Sequence, residues 1–268
     1  LKTLSAYGFG GLLADDMGLG KTIQVLAYFR SEQEKGKQHL VVCPASLLFN
    51  WNAEAARFAP SLKCTMIYGG KSERKQKLRE GADSDLLITS YDYLKRDMDL
   101  YGQYRFDTVI LDEAQYISNP RTKNAQAVKL LNCRQRFALS GTPIENNLTE
   151  LWSIYDFLLP GYLYSHSYFS AVYERAIIKE QDEAVISALQ RLVRPFLLRR
   201  TKKEVLEELE AEGTGSSDYT YILNSMVQIS DENGGPIENY GVDENWHGQY
   251  SLEDINRMFS AFTDYQFT

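Results

Sequence analysis

The chain has 268 residues, of which 44% are hydrophobic and 24% are charged, enough for one large domain or two small ones with a buried core. Its net charge of −7, taken as an average, argues against a nucleic-acid partner. The charge is distributed unevenly between the two parts of the chain. Residues 211–268 contain ten acids and one base, whereas residues 1–210 contain 28 Lys and Arg and 26 Asp and Glu. The body therefore carries about +2 and the tail −9, so we consider partners for each part separately.

The three cysteines, Cys43, Cys64 and Cys133, fit neither a CxxC nor a zinc-binding pattern. So small and odd a set favours reduced thiols in a cytosolic-type compartment. The sequence contains no run typical of a membrane span and no leader pattern, so we expect no membrane partner. The chain starts at Leu1 without a methionine, which indicates truncation.

Six short apolar runs predict strands in the first part of the chain. They are Phe9–Ala14, His39–Cys43, Cys64–Tyr68, Leu86–Thr89, Thr108–Leu111 and Arg136–Leu139. Each run is unbroken and ends in a polar or turn residue, which is typical of strands buried on both faces. Helical patterns lie between them at Lys21–Arg30, Leu47–Phe58, Ser72–Glu80 and Ala125–Leu131. This alternation predicts an α/β fold, a parallel sheet with helices on both faces, in which ligands bind beyond the carboxyl ends of the strands.

The pattern changes near residue 147, after which helix is predicted without a clear strand. The predicted helices are Leu148–Leu159, Tyr168–Ile178, Glu183–Val193 and Thr201–Leu209. A Gly/Ser break at Gly213–Ser217 then marks a linker. We therefore divide the chain into a lobe at 1–160, a helical extension of that lobe at 161–210 and an acidic tail at 211–268. In the tail, Tyr219–Ile229 could form a strand and Ser251 could cap a helix, giving a small α+β module.

The stretch GGLLADDMGLGKTIQ, from Gly10 to Gln24, has the order strand, glycine-rich loop, helix. In that setting Lys21 can reach the outer phosphates of a nucleotide and the Thr22 hydroxyl can bind Mg²⁺. Backbone N–H groups of the loop and the helix N-terminus can hold phosphate oxygens. The predicted nucleotide-binding residues are Gly18, Leu19, Gly20, Lys21 and Thr22. Asp15 replaces the usual first glycine of this motif, so an ordinary strand–helix turn is the alternative.

A second motif, TVILDEAQ at Thr108–Gln115, is an apolar strand that ends in two acids. Asp112 can hold Mg²⁺ through its water shell, and Glu113 can accept a proton from an attacking water molecule. Taken alone, the pair could equally be the acidic first turn of a helix. Both motifs at strand ends, in this order, favour the nucleotide site.

A third motif, FALSGTPIENNL, places Ser140 and Thr142 after another predicted strand. Small hydroxyl groups beside a phosphate site can register its state by hydrogen bonding. Without the other motifs, a plain Gly-Thr-Pro turn would explain the pattern equally well.

Six motifs occur in one order: ADDMGLGKTIQ, VVCPASLLFNW, TSYD, LDEAQ, LSGTPIENNL and LLRRTKKEVLEEL. Together they resemble the first motor lobe of the Swi/Snf family of DNA translocases in helicase superfamily two, in its bacterial type, over about residues 1–210. The resemblance implies a RecA-like P-loop fold, ATP and Mg²⁺ as cofactors, and ATP-driven movement along double-stranded DNA that remodels protein–DNA complexes. It also implies a cytoplasmic, nucleoid-associated location.

The resemblance also implies residue roles. The catalytic residues would be Lys21, Asp112 and Glu113, and the metal ligands would be Thr22 and Asp112. Coupling to movement would depend on Gln115, Ser140 and Thr142. The residues that contact DNA would be Pro44, Ser46, Thr89 and Ser90. For Trp51 we favour core packing over DNA contact. For the basic run between Lys71 and Arg79 we favour a solvated helix face.

Two acidic and several basic residues remain open to more than one interpretation. Asp15 and Asp16 could order Lys21 before ATP arrives, or bind basic groups across the interface between lobes. The basic cluster at 199–203 could contact DNA or bridge the two lobes.

Three departures from the family pattern leave alternatives open. The family's adenine-recognising segment does not precede the P-loop, none of its second-lobe motifs follows residue 210, and the acidic tail has no counterpart, so it could bind a protein partner. A nucleotide-binding regulatory module with little turnover is therefore the main alternative function. A strand-separating helicase or restriction-type motor is a weaker one.

Overall fold

The computed structural model describes residues 1–33, 36–141 and 148–205. The strands of the described residues are β1 (Gly11–Leu13), β2 (His39–Cys43), β3 (Cys64–Ile67), β4 (Leu86–Ser90), β5 (Phe106–Leu111), β6 (Cys133–Leu139) and β7 (Leu197–Leu198). They form one parallel sheet in the order β3-β4-β2-β5-β6-β1-β7.

The α-helices lie between and after the strands. They are α1 (Lys2–Ala6), α2 (Lys21–Ser31), α3 (Leu48–Phe58), α4 (Lys71–Glu80), α5 (Tyr91–Arg96), α6 (Met98–Tyr101), α7 (Lys123–Lys129), α8 (Leu148–Leu158), α9 (His166–Phe169), α10 (Arg175–Glu180) and α11 (Glu183–Val193). A π-helical segment, Ser170–Glu174, joins α9 to α10, and a 3₁₀ turn, Ala45–Leu47, precedes α3.

Both faces of the sheet are buried, which explains the unbroken apolar runs. In β2, Leu40 and Val42 belong to one hydrophobic cluster, whereas Val41 and Cys43 belong to the cluster on the other face. Helices α2 and α3 cover the second face, with Phe29 and Trp51 almost fully buried there. The predicted parallel α/β sheet is therefore confirmed, with strand bounds close to those expected.

One prediction for residues 148–205 needs correction. The expectation of helix without strand is wrong at Leu197–Leu198, which pairs with β1 as the edge strand β7. The helix expected at Tyr168–Ile178 is confirmed as part of a continuous helical run, in which the π-helical segment joins α9 to α10 without a break. The predictions for Thr142, for the end of Thr201–Leu209 and for the whole tail lie outside the described residues.

The helical extension packs on the same core as the sheet. Phe169, Leu189 and Val193 belong to the hydrophobic cluster that contains Leu12 of β1. The chain then returns beside the glycine-rich loop, because the Ala14 N–H donates to the Leu198 carbonyl at 2.7 Å. The segment after β7 is thereby placed next to the predicted nucleotide site.

Among the described residues, no helix is long and apolar enough to cross a membrane. All three cysteines are free thiols, as expected. Burial raises the pKa of Cys43 and raises that of Cys64 to about 11.

Candidate nucleotide-binding site

Three of the predicted motifs meet at the carboxyl edge of three adjacent strands. The glycine-rich loop follows β1, the acid pair follows β5, and Ser140 follows β6, which lies between those two strands. The Ser140 N–H donates to the Leu13 carbonyl at 3.0 Å, and a Cβ built on Gly141 would lie 3.8 Å from Lys21 Nζ. Motifs more than a hundred residues apart in sequence are thus in contact.

The glycine-rich loop has the backbone path that an anion site needs. Gly18 and Gly20 have φ angles of 87° and 70°, a region that L-residues rarely adopt. Helix α2 begins at Lys21 with no side-chain cap, so the N–H groups of its first turn are not bonded by a capping side chain. The N-terminus of such a helix attracts phosphate, which fits the roles predicted for Gly18–Thr22.

Lys21 is held by the backbone of its own loop. Its Nζ donates to the carbonyl oxygens of Asp15 at 2.6 Å and Asp16 at 3.1 Å. Burial lowers the pKa of Lys21, and the carboxylates around it oppose that shift, Asp15 most strongly. Backbone carbonyls therefore hold Lys21, and the hypothesis that the Asp15 and Asp16 carboxylates order it stays a prediction.

The carboxylates of Asp15 and Asp16 bind a basic segment of the same lobe. Asp15 is fully buried, and its two oxygens accept hydrogen bonds from the guanidinium and backbone N–H of Arg200. Gln24 donates to the same carboxylate at 3.3 Å. The Lys202 N–H donates to Asp16 Oδ2 at 3.1 Å. In the described residues Arg200 thus bridges the loop and the segment after β7 within one lobe, which the sequence alone left open.

Asp112 is buried at the end of β5 and held from three sides. Its Oδ1 accepts from the Glu113 N–H at 2.9 Å, its Oδ2 from Trp51 Nε1 at 2.7 Å, and its carbonyl from the Tyr91 hydroxyl at 2.8 Å. Burial raises the pKa of Asp112 to about 6, and the Trp51 hydrogen bond opposes that shift. The carboxylate therefore has a fixed orientation before any ligand binds.

Glu113, the predicted general base, lies in an unusual backbone conformation. Its φ and ψ angles are 51° and 60°, in the left-handed region that costs a non-glycine residue energy. Its carboxylate accepts from Gln115 Nε2 at 2.7 Å. The Gln115 Oε1 atom is buried with no hydrogen-bond partner among the described residues, so it can accept a donor. Gln115 therefore contacts the predicted general base, and its coupling role stays a prediction.

The oxygens near the loop fit a magnesium ion. Thr22 offers a hydroxyl and Asp112 a carboxylate, which are hard oxygen donors of the kind Mg²⁺ prefers. No cluster of three or more His, Cys, Asp or Glu suited to a metal exists in the described part of the chain. Mg²⁺ in nucleotide sites takes one or two carboxylates and completes its shell with water and phosphate, so this donor set suffices.

The predicted DNA-facing residues differ in exposure. Ser46 is exposed on the 3₁₀ turn after β2, whereas Pro44 beside it is buried. Thr89 and Ser90 are also buried, and the Ser90 hydroxyl accepts from the Tyr93 N–H as the cap of α5. Their side chains are therefore used within the fold, and their DNA contact stays a prediction.

Sequence reasoning missed contacts of two residues. Trp51 is buried, as predicted, but the hydrogen bond from its indole to Asp112 was not anticipated. Arg74, expected on a solvated face, is only 5% exposed and forms a bidentate ion pair with Asp97. Asp112 is 61 residues from Trp51, and Asp97 is 23 residues from Arg74. The only signal in the sequence was that Trp51, at a position predicted to be buried, carries a polar N–H group.

The profile of the SNF2-related domain family matches residues 2–214. The chain belongs to this family. It is 46% identical over 205 residues to YwqA of Bacillus subtilis (strain 168), whose name describes an ATP-dependent helicase or translocase. It is 36% identical over 234 residues to the TATA-binding protein-associated factor MOT1 of Saccharomyces cerevisiae.

A solved structure of the Sulfolobus solfataricus SWI2/SNF2 ATPase core in complex with double-stranded DNA matches the chain with a TM-score of 0.68 and 42% identity. The core domain alone from the same organism matches with a TM-score of 0.65 and 40% identity. The first match covers 75% of this chain and 42% of the solved one. Matches cover 22% of YwqA and 12% of MOT1, so the chain spans less than a quarter of these two relatives. The RecA-like fold of the SWI2/SNF2 ATPase core is therefore the fold of this lobe.

Proposed function

We propose that the chain is the ATP-binding motor lobe of a DNA-stimulated ATPase that moves along double-stranded DNA and remodels protein–DNA complexes. The observation that carries the proposal is the convergence of Lys21, Asp112 and Glu113 on one edge of the sheet. Family membership and the similarity to the Sulfolobus core solved in complex with double-stranded DNA support it. The proposed location is the cytoplasm, in association with the nucleoid.

Each residue has a defined task in this proposal. Lys21 leaves the loop carbonyls of Asp15 and Asp16 and binds the outer phosphates. Glu113, oriented by Gln115, accepts the proton of the attacking water. When bound, Mg²⁺ neutralises charge on the phosphates, with Thr22 and Asp112 as its protein partners. Ser140, which lies next to the loop, and Thr142 couple hydrolysis to movement.

A second lobe, on the same protein or another, is the proposed partner that completes the site. Arginine contributed from outside a P-loop site raises turnover by about 10³–10⁵-fold in related chemistry. Turnover by this lobe alone is accordingly expected to be slow. The acidic tail contains ten acids and one base, and we propose that it binds protein rather than DNA.

ATP turnover with and without double-stranded DNA tests the proposal. We expect DNA to raise the rate, and Glu113→Gln to lower it by about 100-fold or more because the proton acceptor is lost. Glu180→Gln, at an exposed carboxylate of α10, is the matched control and leaves the rate unchanged.

Three other outcomes separate the alternatives. Nucleotide binding without turnover, with or without DNA, would favour a regulatory nucleotide-binding module. Strand separation of a duplex by the full-length protein would favour a helicase. Equal turnover by wild type and Glu113→Gln would contradict the proposed site.

A further inference from the structure

Two buried side chains hold Asp112, a candidate magnesium ligand, from outside the site. The Trp51 indole on helix α3 donates to Asp112 Oδ2 at 2.7 Å. The Tyr91 hydroxyl on α5 donates to the Asp112 backbone carbonyl at 2.8 Å. Both side chains are almost fully buried. Two helices thus fix the carboxylate and the backbone of the residue on which the metal depends.

The chemistry of these bonds leaves the carboxylate free to bind a metal. An ionised carboxylate has about four acceptor positions, so Asp112 can accept from Trp51 and Glu113 and retain others for the water shell of the ion. The Tyr91 bond goes to the backbone carbonyl and uses none of these positions.

We propose that Trp51 and Tyr91 are positioning residues that hold Asp112 in the geometry required by a magnesium–nucleotide complex. The inference rests on the proposed function and adds two residues to it. Outer partners of this kind orient the metal-binding groups, and their loss typically weakens metal affinity by about 10–100-fold. Because Trp51 also fills the core, its role must be separated from its packing.

The test measures Mg²⁺ requirement rather than activity. The dissociation constant of ATP is determined by titration calorimetry in EDTA and across a series of Mg²⁺ concentrations. Trp51→Phe keeps an aromatic ring but removes the N–H donor. We expect its ATP affinity in EDTA to match wild type within about twofold, and its half-saturating Mg²⁺ concentration to rise by about tenfold.

Tyr91→Phe gives a second, independent arm. It removes only the hydroxyl that donates to the Asp112 carbonyl and keeps the aromatic ring. We expect a rise in Mg²⁺ requirement of about tenfold. If Trp51→Phe fails to fold, this variant alone decides the question.

The chain offers matched controls for both positions. The Trp152 indole on α8 donates to a backbone carbonyl, that of Tyr164, rather than to Asp112. The buried Tyr155 hydroxyl donates to the Val193 carbonyl at 2.7 Å, as Tyr91 donates to that of Asp112. Trp152→Phe and Tyr155→Phe should leave the Mg²⁺ requirement at the wild-type value.

Two results would overturn the inference. Folded Trp51→Phe and Tyr91→Phe proteins with a wild-type Mg²⁺ requirement would contradict it. Equal weakening of ATP binding in EDTA and in Mg²⁺ would assign these residues to general packing instead. If the wild-type chain bound no ATP at any Mg²⁺ concentration, the proposed function itself would fail, and this inference with it.

Discussion

The Asp15 carboxylate is fully buried beside the glycine-rich loop and depends on Arg200 for its partner. A carboxylate removed from water is costly unless it is paired and hydrogen-bonded. Here the guanidinium and backbone of Arg200 and the Gln24 amide supply those bonds. The pair therefore joins the nucleotide loop to the segment that leaves the sheet after β7.

Removal of Arg200 should destabilise the lobe. Arg200→Ala leaves Asp15 buried without its cation, and we expect the free energy of unfolding to fall by about 2 kcal/mol. This is below the usual cost of breaking a buried pair because the Arg200 side chain is 33% exposed. Urea denaturation measures the change. Lys202→Ala, at an exposed position two residues away, should change stability by less than about 0.5 kcal/mol.

The double variant identifies the cause of that loss. Asp15→Asn with Arg200→Ala removes the buried charge as well as its partner, so it should recover part of the stability lost in Arg200→Ala. Strictly additive losses would show that Asp15 and Arg200 do not interact.

His39 makes the stability depend on pH. It is 1% exposed and stacks on Phe29, and burial lowers its pKa to about 4, with a smaller opposing effect from Asp107. The unfolded chain, with a histidine pKa near 6.5, therefore binds the proton more readily than the folded one. The stabilisation that comes from a neutral His39 in the folded protein is fully present above about pH 6.5. It is lost as the pH falls toward 4.

Between pH 7.5 and pH 5 we expect the effect of His39 to lower the free energy of unfolding by about 2 kcal/mol. Urea denaturation at both pH values compares wild type with His39→Leu, which cannot take up the proton. We expect the variant to lose about 2 kcal/mol less than wild type over this interval. An identical loss in both proteins would show that His39 does not control this dependence.

Local motifs were predictable at the residue scale, and remote partners were not. Lys21, Asp112 and Glu113 could be placed because each follows an apolar run within a few residues, where strand ends are readable. The Arg200 partner of Asp15 lies 185 residues away in sequence. The Trp51 bond to Asp112 depends on how α3 packs, which periodicity does not fix.

At the scale of elements, an ion pair anchors α4 to the connection between α5 and α6. Arg74 donates to both oxygens of Asp97 and to the Gly69 carbonyl, and its guanidinium lies over the Tyr93 ring. A planar, bidentate guanidinium cannot be replaced by an ammonium without loss of hydrogen bonds. The basic appearance of α4 in sequence therefore conceals one structural arginine.

Arg74→Lys should show this structural role. We expect a loss of about 1–2 kcal/mol in unfolding free energy, because the charge remains but the bidentate geometry is lost. Thermal or urea unfolding measures it, with Arg79→Lys at an exposed position of the same helix as control. Equal stability of the two variants would support the solvated position that the sequence predicted for Arg74.

The strands were predictable where burial on both faces gave apolar runs of four residues or more. Strand β7 was missed because Leu197–Leu198 has only two residues, too few to show a pattern, and forms by pairing with β1. Helices α5 and α6 were not predicted either. They have six and four residues, so their sequences hold little helical periodicity.

At the scale of the whole molecule, the lobe gathers its charged and polar site groups at one edge of a sheet whose two faces are otherwise apolar. This arrangement follows from parallel strands, which bring distant loops together at their carboxyl ends. The fold class could be read from the sequence for that reason. The contacts among the gathered groups could not, because they depend on the packing of helices such as α3 and on the return of the chain beside β1.

Titration calorimetry of ATP in the presence of Mg²⁺ tests the central claim most directly. We expect binding by the wild-type chain and a loss of at least about tenfold in affinity for Lys21→Ala, since the ammonium contacts the phosphates. Lys71→Ala, at an exposed lysine that starts α4, should bind like wild type. ATP binding that is absent in the wild-type chain, or that Lys21→Ala retains in full, would contradict the account.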